Sequence, residues 1–183
     1  MPTDPRTRWS DDTPAPSDPI PRAHVDPIDR ESTALALLGA ILSEPSRHET
    51  IVVLLDRARR GVSIVVVDGT SDPDDVVHSV EVVATAVSNA ATRSCGAGPL
   101  DDVAIGALVV ASVRPRDANR FDDLVDADRW LHLDEITDQH GIELVEWFVL
   151  HGEGLDCVSR PRELVDERLR WSPTRPRGGA RWA

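Results

Sequence analysis

Lysine and tyrosine are absent from this 183-residue chain, methionine occurs once, and cysteine and phenylalanine occur twice each. All 20 cationic side chains are therefore arginine, a bias that GC-rich codon usage leaves and in which we read no function. Cys95 and Cys157 lack metal-type spacing and are too few for a disulfide framework. No apolar run approaches the roughly 18 residues that span a bilayer. The opening, MPTDPRTRWSDDTPAPSDPIPRAHVDP, has no cationic start followed by an apolar stretch, so no secretory signal is read there. Net positive charge is missing as well. At a formal charge of -12, the chain lacks the clustered cations that a phosphate backbone demands. The expectation is a cytoplasmic protein with no membrane contact, whose main partner is not a nucleic acid.

What is present is a hydrophobic content of 40%, enough for one core, in a length suited to one domain with tails. Residues 1–28 are rich in Pro, Asp, Ser and Thr without apolar periodicity, and read as a disordered tail. Residues 172–183, with Arg175, Arg177 and Arg181, read as a flexible basic tail that attracts an acidic partner only weakly. The folded domain then covers 29–171.

Inside it, Ser32 or Thr33 offers a cap for the helix TALALLGAILSE, which Pro45 should end. HETIVVLLD and VSIVVVDG are β-branched runs separated by RARRG, a hairpin with Gly61 at its turn. Asp72-Pro73-Asp74-Asp75 opens a second helix that lines up Val76, Val80, Val83, Ala84 and Val87 on one face. The unalternating AIGALVVAS is a strand buried on both sides. Asp122 or Asp123 starts a third helix, closed by Gly141, with Leu124, Leu131, Leu133 and Ile136 as its apolar stripe and Trp130 at the margin. IELVEWFVLHG and LDCVSRPREL are two last strands joined at Gly152-Glu153-Gly154, a turn with no phosphate-loop context. The order α-β-β-α-β-α-β-β predicts an α+β (α/β) domain, a single mixed sheet flanked by helices.

ETIVVLLDRARRG, VVDGTSDPDDVV, LVVASVRP, DQHGIELVEWFVLHG and CVSRPRELV follow one another in an order that resembles the JAB/MPN metalloprotease fold, in its bacterial RadC-like branch. The resemblance covers about residues 49–165 and implies a zinc hydrolase signature: two histidines and a proline closing the central strand, Ser-x-x-Asp on the next helix, and an upstream glutamate. Pro115 matches the proline, but the histidine positions hold Ser112 and Arg114. Asp123 and Asp126 keep the three-residue spacing, and Asp68 stands nearest the upstream acid. Zinc wants about three His, Cys or carboxylate ligands around an open position, and a permanently charged guanidinium repels it. The resemblance thus implies a catalytically inactive scaffold or protein-interaction module without a cofactor, in which Arg114 pairs with Asp126 in place of a metal. The alternative is a hydrolase with an unconventional metal site using Asp126, Asp68 and His78, which requires the three to converge on one cleft.

The remaining chemistry-bearing residues read as structural. His78 and Glu81 share a helical spacing common on exposed faces, and His132, His140 and His151 are scattered, with His140 favourable at a helix C-terminus. Cys157 reads as an inert strand thiol. Asp117, Asp122, Asp123, Asp126 and Asp128 lack calcium-loop spacing and suit a helix N-terminus. Trp147 and Phe148 point to opposite faces of their strand, Glu146 sharing the Phe148 side, and both rings reach a core only if helices cover both faces.

Overall fold

In a computed structural model, residues 19–94, 104–115, 123–152, 154, 155, 157–165 and 171 are described. They form α1 (Glu31–Ile41), β1 (Glu49–Asp56), β2 (Gly61–Asp68), α2 (Asp75–Ser94), β3 (Ile105–Arg114), α3 (Asp123–Gln139), β4 (Glu143–His151) and β5 (Cys157–Ser159). A 3₁₀ turn follows at Pro161–Leu164. The expected mixed sheet is there, in the order β2-β1-β3-β4-β5. Every neighbouring pair is antiparallel except β3 and β4, which run parallel through the crossover that contains α3.

Alternation divides the core into two layers. Ile51, Val53, Leu55, Val109, Ala111 and Phe148 face α1, whereas Val52, Leu54, Leu108, Val110, Trp147 and Val149 face α2 and α3. Both rings of the Trp147-Phe148 pair are therefore fully buried, the case that needs helices on both faces. Trp171 stacks on Phe148 at 6.1 Å between ring centroids. The apolar face expected of α2 is the observed one, with Val76, Val80, Val83 and Ala84 buried and Val87 packed at the edge.

Five local expectations need correction. The hairpin turns on Arg59, at φ +63°, while Gly61 opens β2. Asp56 explains why: its carboxylate accepts from the Ala58 and Arg60 amides and thereby wraps the turn around itself. Helix α1 begins after Arg30, with no side-chain cap from Ser32 or Thr33, and stops at Ile41, before Pro45. In α2 the Asp72 carboxylate accepts from the Asp74 amide and Asp75 accepts from the Asp72 amide, a reciprocal capping that lets regular helix start at Asp75 rather than Pro73. On α3, Leu124 and Leu131 are exposed and Trp130 is core, because the helix rolls Ala127, Trp130 and Leu133 onto the sheet. Finally, residues 19–28 of the expected tail lie on the domain. The amides of His24 and Ile28 bond to the carbonyls of Gly61 and Arg59, and Ile28 is buried beside β1. Residues 1–18 and 172–183 lie outside the described residues.

Candidate functional site

The parallel pair β3–β4 ends at Arg114 and His151, which stand opposite each other in the ladder. Above that end lies the first turn of α3. Ser112 and Arg114, two residues apart, share the face that α2 and α3 cover. Helical spacing aims Asp126 back at them: Ala127 and Trp130, on the same stripe, are held in the core.

Arg114 meets Asp126 in a two-pronged contact. Nη1 donates to Oδ2 at 2.9 Å and Nη2 to Oδ1 at 3.0 Å. Arg129, one turn along α3, adds Nη1 to Oδ1 at 2.9 Å and uses Nε to reach Asp74 at the start of α2, at 2.7 Å. The Asp126 side chain is only 4% exposed, so it is a buried carboxylate with both oxygens spoken for. Burial alone would lower the Arg129 pKa, but its bonds to Asp74 and Asp126 outweigh this and hold it above the ordinary arginine value. The Arg114 guanidinium also lies 5.9 Å from the centre of the Trp147 ring, within cation–π range. Trp147 Nε1 in turn donates to Ser112 Oγ at 2.9 Å. His151 completes the group. Burial, and then the Arg114 charge, lower its imidazole from 6.5 to about 4 against the pull of Asp126, so it is neutral at ordinary pH.

The motif positions thus divide. Ser112, Arg114 and Asp126 come together at the end of β3, with Pro115 directly after them. Asp123 is the first residue of α3. Asp68 does not join them. It pairs in register with Glu49, whose carboxylate bonds to Ser43 after α1, and so it lies on the opposite face of the sheet from Asp126. His78 is exposed on α2. The three residues of the alternative metal site do not converge. Asp128 is exposed, Asp117 and Asp122 lie outside the described residues, and His140 Nδ1 sits 3.0 Å from Ser88 Oγ beyond α3. Cys157 is a half-buried free thiol in β5, and Cys95 lies outside the described residues.

These donors do not suit a zinc ion. Both Asp126 oxygens accept from the guanidinium groups of Arg114 and Arg129, Ser112 already accepts from an indole, and His151 is a single imidazole beside these charges. Among the described residues no three His, Cys, Asp or Glu side chains are grouped to hold a metal, and no described helix is long and apolar enough to cross a membrane. Sequence reasoning missed Arg129, Asp74 and the Trp147–Ser112 bond. The i,i+3 spacing of Asp126 and Arg129 was the available cue for the first. The others needed the packing of α2 on α3 and the strand register. No family model, no curated protein and no solved structure matches this chain.

Proposed function

We propose that this chain is a catalytically silent, RadC-like JAB/MPN-type domain that acts in the cytoplasm as a protein-interaction or scaffold module. One observation carries the reading: the Arg114 guanidinium grips Asp126 where the resemblance calls for a metal held by histidine and aspartate. A cation in that position repels a divalent ion and occupies a lone pair on each carboxylate oxygen. The cluster serves the fold instead, tying the end of β3 to α3 and, through Arg129, to α2. With Arg114, Ser112 and Asp126 bonded to one another's elements at the strand end, the reading assigns the molecule's action to its surface. An overall charge of -12 favours protein partners over nucleic acid.

The test is metal content per chain on untagged protein purified without chelator, together with peptidase and isopeptidase assays in added zinc. The expected result is far less than one zinc per chain and no cleavage. Near-stoichiometric zinc with cleavage activity overturns the reading.

A further inference from the structure

Strand β2 is an edge of the sheet, and among the described residues no segment pairs with its outer side along most of its length. Gly69 N–H donates inward to the His48 carbonyl at 2.8 Å. Antiparallel alternation then turns the backbone groups of Val67 and Val65 toward β1 and those of Ile64, Val66 and Asp68 away from it. The side chains of Ile64 and Val66 lie on the α1 side, beyond the reach of α1, and are 40% and 47% exposed. Beyond a bulge at Val62, few of the devices that blunt an edge are present: β2 has no proline, no lysine and no charge along Val62–Val67. Among the described residues the 24–28 segment, bonded to Gly61 and Arg59, covers its start, and Pro21, Arg22 and Ala23 line a cavity beside Val62, Ser63 and Ile64.

Charge indicates what covers the rest. Arg59, Arg60 and Asp74 are held within the chain by Glu143, Asp56 and Arg129, which leaves exposed Arg57 before β2 and exposed Asp68 and Asp72 at and after its end. An antiparallel strand carrying this same sequence lays its basic end against the acidic end of β2, twice over, as a two-fold interface requires. A parallel copy would oppose like ends. Placing the two-fold at Val65 pairs Ile64 with the second copy's Val66, and Val66 with its Ile64. Both are outward-facing residues able to exchange backbone bonds, and the four exposed apolar side chains then lie in one cluster. In that register Asp72 comes near the second copy's Arg57. The covered start of β2 stays outside the paired stretch.

We infer that two copies of this chain associate through antiparallel pairing of their β2 edges, extending the five-stranded sheet into one of ten. The inference rests on the interaction-module reading in that it names the surface involved, yet the two stand or fall on different measurements. Sedimentation of the full chain over a range of concentrations should give a monomer–dimer equilibrium that weakens with salt. In Val66→Pro each copy loses an outward N–H that no bond among the described residues uses, so melting should be unchanged while the dimer Kd rises at least roughly thirtyfold. Val66→Lys, a change at an exposed side chain, should weaken the dimer in the same way and keeps the test open if the proline variant does not fold. Val82→Lys on exposed α2 should leave the Kd as it is. A wild-type chain that stays monomeric, including one that captures a strand of another protein, overturns the inference. So does a dimer that Val82→Lys breaks and Val66→Lys does not. A metal-free, inactive but monomeric chain would remove only this inference, and a zinc-bound, active dimer only the preceding reading.

Discussion

Arg114 and Asp126 are each mostly enclosed, at 13% and 4% side-chain exposure, and enclosure decides what the pair is worth. A surface ion pair contributes little, but removing one partner of a buried one leaves a desolvated charge behind. Arg129 would still hold one Asp126 oxygen, so the loss is partial. Arg114→His should cost about 2 kcal/mol, read as a fall in Tm of roughly 4–8 °C. An unchanged Tm would show that the pair contributes nothing. His151, in the same group, makes stability depend on pH. Unfolded, its imidazole protonates near 6.5; folded, only near 4. Between these values the unfolded chain binds the extra proton, so stability is full above 6.5 and drains as pH falls toward 4. Denaturant titrations at pH 7 and pH 5 should differ by about 1–2 kcal/mol in the native chain and by less in His151→Asn. Equal losses in both proteins would assign the slope to other groups.

Strand β4 shows how an element can be apolar almost throughout and still carry a charge inward. Between the partners of Leu108 and Val109 in the parallel ladder β4 itself carries one residue more, so that Val145 is the extra residue and Glu146 stands opposite Val109. Glu146 is fully buried on the α1 side and receives Nε and Nη2 of Arg162, itself 2% exposed, at 2.9 and 2.7 Å. Burial raises the Glu146 pKa even against these bonds. The 3₁₀ turn that bears Arg162 is thereby pinned to β4. Arg162→Leu should cost about 3–5 kcal/mol, because the carboxyl would remain buried without its cation. Adding Glu146→Leu should recover most of that loss, since a matched apolar pair carries no desolvation cost. Thermal melts of the single and double variants decide the point; equal instability in both would mean that shape, rather than charge, fixes the turn.

At the scale of the whole molecule, the parts legible in the sequence were those set by local period and composition. The order of elements, the two-sided burial of β3 and the apolar face of α2 follow from which residues recur at spacings of two, three and four. Arg114 and Asp126 could be matched because each sits at a position fixed by an element's end. What could not be read depends on contacts distant in the chain. Trp130 outranked Leu124 and Leu131 for the core because α3 rolls Trp130 and Leu133 into the layer of Trp147, and Asp56, rather than a glycine, shaped the hairpin turn. The placement of Asp68 opposite Asp126 is a matter of register, and a shift of one residue would reverse it.

The order in which the strands are made also matters during synthesis. Strand β1 lies between β2, joined to it by a four-residue turn, and β3, which begins some fifty residues later after α2. The hairpin can close as soon as it leaves the ribosome, since short loops close fastest. Until Ile105–Arg114 has emerged, however, the second edge of β1 is open, and Ile51, Val53 and Leu55 lack the strand beside them. A stalled or truncated nascent chain ending before β3 is thus a hairpin with two bare edges and an unfinished apolar face, the form in which this protein is most prone to aggregate.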